Sequence, residues 1–160
     1  MKINDYDYKV EWYKWFKTGK EKILYDECKY ITYIGGQFVE VVFQCDEHDN
    51  TNKKLKHWNI GLTIADDKEL IEYYQKNKMI TGKIGVRGLL FAKAAIKAFE
   101  EFLTNNKEYT RYNHCLYCDW LDKRRKKVYC YGLKKMGFNL DFHWYNGKFF
   151  RCLKKKIYNF

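Results

Sequence analysis

Two stretches of this chain combine residue types that bind anions. The first is the glycine-rich loop Thr81-Gly82-Lys83-Ile84-Gly85-Val86-Arg87-Gly88, which leads into a helical stripe. Glycines let the backbone approach a ligand closely. The first N–H groups of a helix have no carbonyl one turn back to bond. Together with the helix dipole they form a site suited to a pyrophosphate. Gly82, Gly85 and Gly88 would supply backbone donors, and Lys83 and Arg87 the countercharge. A plain turn into a helix uses the same residues, so both readings stand. No Gly-Lys-Ser/Thr follows and the Rossmann glycine spacing is absent, so the loop matches neither of those phosphate motifs. The second stretch is Lys123-Arg124-Arg125-Lys126-Lys127, at the start of a predicted helix. A helix dipole favours acids at that end, so these cations are locally unfavourable. Phosphates of a cofactor or nucleic acid would compensate, with Arg125, Lys126 and Lys127 as ligands. A solvated charged face, partly offset by Asp119 and Asp122, is the alternative.

Cysteine and histidine invite a zinc reading through Cys45-x-x-His48 and His114-Cys115-x-x-Cys118, since four N/S ligands in a tetrahedron suffice. Against it, residues 115 and 118 fall within a predicted strand, where positions three apart point to opposite faces. Metal ligands are therefore not expected. Cys28, Cys130 and Cys152 read as small core residues. Six scattered cysteines imply reduced thiols more than a disulfide framework.

The elements that must position these groups follow from periodicity. Residues 8–28 mix Trp12, Trp15, Phe16, Ile23 and Leu24 with Lys and Glu and read as helical. Residues 30–34 and 37–44 read as strands joined by Gly35-Gly36, a hairpin signal. Residues 56–64 alternate with period two and read as a third strand. Asp66-Asp67 mark the start of a short helix to about Gln75. Leu89, Ala92, Ile96, Phe99 and Leu103 recur at helical spacing and form one buried stripe. A strand over 111–120, the basic helix over 123–136 and a hairpin of 138–145 and 148–157 around Asn146-Gly147 complete the chain. The fold class expected is α/β: one domain over 1–160, with a mixed, mostly antiparallel sheet flanked by helices.

The basic helix closes as Leu133-Lys134-Lys135-Met136-Gly137-Phe138, and the central helix opens as Arg87-Gly88-Leu89-Leu90-Phe91-Ala92. With the order of three strands, loop and helix, strand, helix, hairpin, these segments resemble the GNAT superfamily of N-acetyltransferases over residues 30–150. The resemblance implies a GNAT-like fold and acetyl-CoA, or another acyl-CoA, as co-substrate. It implies that Gly82, Lys83, Gly85, Arg87 and Gly88 meet the diphosphate, and Arg125, Lys126 and Lys127 the 3′-phosphate or an anionic substrate. Leu90 stands where the family usually has Gly. Leu133 stands where it often has the Tyr that protonates the departing thiolate. Tyr129, one turn earlier on the same helix face, is the stand-in, whereas Tyr131 faces away. Residues 66–80 look inserted. For the general base, Glu40, Asp66 and Asp67 are carboxylates of the right type and nothing more.

Composition bounds the partners. With 46% hydrophobic and 19% aromatic residues the chain is globular. No apolar run approaches the ~18 residues of a membrane span, and the polar N-terminus has no signal-peptide core. A protein of the cytoplasm, of a host if viral, is the expectation. The absence of proline and the abundance of Lys, Asn, Ile and Tyr fit an AT-rich genome. The net charge of +11 favours an anionic partner: the coenzyme A thioester, nucleic acid or an acidic protein. The rival to an acyltransferase is therefore a non-catalytic nucleic-acid-binding protein on the same fold, in which Trp120, Tyr129 and Tyr131 stack on bases. An enzyme that modifies nucleic acid would combine the two.

Overall fold

A computed structural model describes residues 2–17, 23–46, 54–66, 84, 86–120, 123–145 and 147–160. Its strands are β1 (Tyr8–Lys17), β2 (Ile23–Ile34), β3 (Gln37–Asp46), β4 (Leu55–Ala65), β5 (Asn113–Cys118), β6 (Asn139–Tyr145) and β7 (Lys148–Ile157). Helix α1 (Arg87–Asn105) lies between β4 and β5, and α2 (Lys123–Lys134) between β5 and β6. The strands form one sheet in the order β1-β2-β3-β4-β5-β7-β6. β4 and β5 run parallel; β1 with β2, β2 with β3, β5 with β7 and β6 with β7 run antiparallel. The expected α/β class with a mixed, mostly antiparallel sheet is what the chain adopts. It packs as two compact units, Met1–Gln44 with Gly61–Phe102, and Cys45–Ile60 with Leu103–Phe160.

In the first unit the helix expected over 8–28 is absent: these residues supply β1 and the first half of β2, paired from Tyr8↔Thr32 to Lys17↔Ile23. Trp12, Trp15 and Phe16 imitate helical spacing. The stronger pattern is period two, Tyr8-Val10-Trp12 against Lys9-Glu11-Tyr13, in a run rich in aromatic and β-branched residues. Tyr8 stacks on Tyr30 of the neighbouring strand, and Trp12 lies 5.1 Å from Phe102 of α1 by ring centroid. The Gly35-Gly36 hairpin is as expected; both glycines have positive φ, 54° and 85°, which a tight two-residue turn between twisted strands requires. On one face of β2–β3, Cys28, Tyr30, Val41 and Phe43 are buried and meet α1 through Phe43 stacked on Phe99. The other face holds buried charge: Lys29 Nζ lies 3.5 Å from Glu27 and 3.9 Å from Glu40. The predicted stripe of α1 is buried in this unit at Ala92, Ile96 and Phe99, and Phe91 and Ala95 join it; Leu103, which belongs to the second unit, is buried there.

In the second unit β4 pairs with β5 from Leu55↔Asn113 to Asn59↔Tyr117. Cys115 and Cys118 lie in β5, as the strand reading requires, and both are buried. Helix α2 ends as expected on Gly137, with φ 91°. Phe138 N–H donates to Leu133 O and Gly137 N–H to Lys134 O, both at 3.1 Å. These are the paired bonds of a Schellman cap, and the accompanying apolar contact positions, Leu133 and Phe138, are both buried. The β6–β7 hairpin turns at Gly147, φ 76°. The expected helix beyond Asp66, from Asp67 to Gln75, the Cys45-x-x-His48 histidine and half of the glycine loop lie outside the described residues.

Candidate functional site

The first turn of α1 carries the part of the anion site that can be described. Gly82, Lys83 and Gly85 lie outside the described residues; Arg87 and Gly88 lie within them. Arg87 N–H donates to Ile84 O at 3.1 Å and Leu90 N–H to Val86 O at 3.0 Å. Gly88 and Leu89, between them, stand in the first turn of the helix, whose N–H groups have no partner within the helix itself. They are the donors this end of the helix offers an anion. The Arg87 side chain is exposed, its Nε donating to Ile84 O at 3.4 Å. Its guanidinium rests against the β2–β3 turn: a methyl group at Gly35 would stand 2.5 Å from Arg87 Nη2. The cation is thus held beside the helix start by a turn that only small residues allow.

Gly88 has a packing role as well. A Cβ there would meet Ile64 Cδ1 at 2.8 Å and Ile84 Cδ1 at 3.1 Å. The glycine lets α1 close on β4. Gly88→Ala is expected to cost about 1–3 kcal/mol through overpacking, reduced by up to about 1 kcal/mol of gained helix propensity. The check is a lower melting temperature; an unchanged one would show that Ile64 moves aside freely.

One polar pair in this unit was not legible in the sequence. Gln37, fully buried at the start of β3, donates from Nε2 to Asp66 Oδ1 at 2.9 Å, just beyond β4. Its Oε1 is buried and accepts no hydrogen bond among the described residues. A buried acceptor left so costs about 1–3 kcal/mol, which an N–H of a bound molecule would recover. Asp66 was recognisable only as a carboxylate of the right type, and no local pattern marks Gln37 as its partner. Glu40, the other described candidate base, is buried next to Lys29 on the charged face of β2–β3.

The second unit holds the basic helix. Lys123 and Lys127 are exposed, and Arg125 and Lys126 half-buried. Lys126 Nζ sits 5.4 Å from the Trp120 ring centroid, so the aromatic at this helix start receives a cation. Tyr129 is half-buried and shares a helix face with buried Leu133. Tyr131 is on the surface and accepts from Lys135 Nζ at 3.0 Å. Leu133, where the family resemblance implies a Tyr, is both packed and part of the helix cap.

All six cysteines are thiols, and five are buried. Burial pushes the Cys28 and Cys118 thiols far up, and Cys152 up to about 12, so none of these three offers a thiolate at neutral pH. Among the described residues no group of three His, Cys, Asp or Glu side chains is placed to hold a metal, and no helix is long and apolar enough to cross a membrane. A scan against family models and searches of curated proteins and of solved structures each return no match to this chain.

Proposed function

We propose that this protein is an acyl-CoA-dependent N-acyltransferase of GNAT-like fold, with acetyl-CoA as the first co-substrate to test. The observation that carries the reading is the order and pairing of the elements. Antiparallel strands lead to β4; α1 opens on Arg87-Gly88; β5 lies parallel to β4; α2 closes on Gly137-Phe138; and a hairpin follows. That is the order the resemblance implies, now with pairings that sequence alone does not give.

In the reaction the nitrogen of a substrate amine attacks the thioester carbonyl carbon. A C–N bond forms, the C–S bond breaks, and the thiolate leaves and takes up a proton while the amine loses one. The diphosphate would meet the N–H groups of Gly88 and Leu89 and the Arg87 cation. Leu90, at the family's glycine position, has its own N–H committed to Val86 O, so it supplies no donor. Arg125, Lys126 and Lys127 would bind the 3′-phosphate or an anionic acceptor, and Tyr129 would donate the proton to the thiolate. Binding and orientation supply most of the acceleration in such a transfer.

The test is thermal unfolding with and without excess acetyl-CoA at two salt concentrations. Ligand at about 100 times its dissociation constant adds about 2.7 kcal/mol, or about 5–10 °C for a chain of this size. A salt-resistant rise is expected. No rise would sink coenzyme A binding and leave nucleic-acid binding as the reading to pursue.

A further inference from the structure

The turn half of the β6–β7 hairpin presents an exposed aromatic face, whose other end is covered at the fully buried Leu153. Cross-strand register places Phe142 opposite Arg151, Trp144 opposite Phe149 and Leu140 opposite Leu153. These side chains therefore share one face, with Lys155 two residues beyond Leu153. Phe142 and Trp144 are each 55% exposed, Phe149 69% and Leu140 39%. Trp144 and Phe149 meet edge to face with centroids 4.6 Å apart. Between Asn139 and Ile157 the chain carries Lys148, Arg151, Lys154, Lys155 and Lys156 against Asp141 as the one acid. Of these cations Arg151 and Lys155 share the face of the rings, while Lys148, Lys154 and Lys156 alternate onto the other, and β6 is the edge strand.

We infer that this face is a stacking platform for single-stranded nucleic acid. Three arguments select that occupant. Rings two residues apart on a strand are about 6.7 Å apart, far enough for each to take a base of an extended strand, and base–aromatic stacking tolerates any sequence. Bases inside a duplex keep their faces against one another and cannot use the rings. Arg151 and Lys155 on the same face match a phosphodiester backbone, and they would repel a second copy of this face. A membrane-inserting hairpin would carry an uncharged tip, but Lys148 follows Gly147 directly and Arg151 and Lys155 lie on the ringed face. The face uses none of the residues assigned to the α1 turn or to the α2 cations, and the inference does not rest on the acyltransferase reading.

The full chain is titrated, without coenzyme A, against labelled oligo(dT), oligo(U) and a duplex of equal length, at several salt concentrations. Single strands are expected to bind more tightly than the duplex. Phe142→Ala, Trp144→Ala and Phe149→Ala should each weaken binding by about 5- to 150-fold. Arg151→Ala should instead flatten the log–log salt slope by about 0.7. Thermal unfolding checks that each variant folds; Phe149, the most exposed ring, carries the test if another fails. The inference is overturned by any of four results: no oligonucleotide binding; equal affinity for the duplex; ring variants that bind like the parent; or ring-dependent association with phosphatidylcholine–phosphatidylserine vesicles or with a second copy in place of the oligonucleotide.

Discussion

Phe99→Ala is expected to lower the unfolding free energy by about 3–5 kcal/mol, the range for emptying a fully buried aromatic site. Phe99 has no exposed surface. Its ring stacks on Phe43 of β3 at 4.0 Å between centroids and 16° between planes, and lies 6.3 Å from Trp12 of β1. One residue of α1 therefore joins the helix to two strands of the first unit. The neighbours come from a paired sheet and a long helix, so the void cannot easily close, and cost rises with the cavity that remains. The variant should melt about 6–20 °C below the parent. Phe99→Leu, which retains most of the volume, should lose about 1.5 kcal/mol or less. A double-mutant cycle with Phe43→Leu should return a coupling of about 0.5–1.5 kcal/mol for the stacked pair. A loss below about 1 kcal/mol for Phe99→Ala would contradict this packing, since a surface-like substitution costs no more.

That stack shows where the sequence was legible and where it was not. The stripe of α1 was plain because five apolar residues repeat at helical spacing, and the hairpins because Gly35-Gly36 and Asn146-Gly147 supply the positive φ such turns need. The Gly137 cap was plain for the same reason. β1 was obscured by its own composition. Aromatic residues fall on both of its faces, Trp12 inward and Tyr13 beneath Lys29 on the other side, so period two is blurred and helical spacing is imitated. Only the ten-pair register with β2 separates the two readings, and pairing is not a local property. The site divides in the same way. Arg87 and Gly88 stand out by type at a helix start. Gln37 and Asp66 are 29 positions apart, and no spacing rule joins them. The hairpin face was hidden because aromatics occur throughout the chain; exposure, not identity, sets Phe142, Trp144 and Phe149 apart.

Acid is expected to destabilise this protein through His114. The ring is fully buried in the second unit. Trp58 Nε1–H donates to its Nδ1 at 3.0 Å, and its Nε2 lies 3.0 Å from the Tyr109 carbonyl oxygen. Those partners assign the neutral tautomer with the proton on Nε2, because a protonated ring would turn Nδ1 into a donor facing the Trp58 donor. Burial lowers the His114 pKa; the Tyr109 carbonyl opposes this and the Lys56 charge adds to it. In the unfolded chain a histidine titrates near about 6.5. Above that value neither state is protonated and the contribution to stability is fully present. As pH falls below it the unfolded chain takes up a proton that the folded one refuses, so stability declines by up to about 1.4 kcal/mol per pH unit until the lower, folded value is reached. His114→Gln, which cannot be protonated, should flatten that part of the stability–pH curve. His114→Ala should cost about 3 kcal/mol or more at neutral pH, since it opens a cavity and strips partners from the Trp58 donor and the Tyr109 acceptor. Urea unfolding of parent and both variants between about pH 5 and 8 decides the matter, that interval spanning the reference histidine pKa. If the parent curve is flat there, or keeps its slope in His114→Gln, the neutral, doubly bonded imidazole is not what holds Trp58 in place.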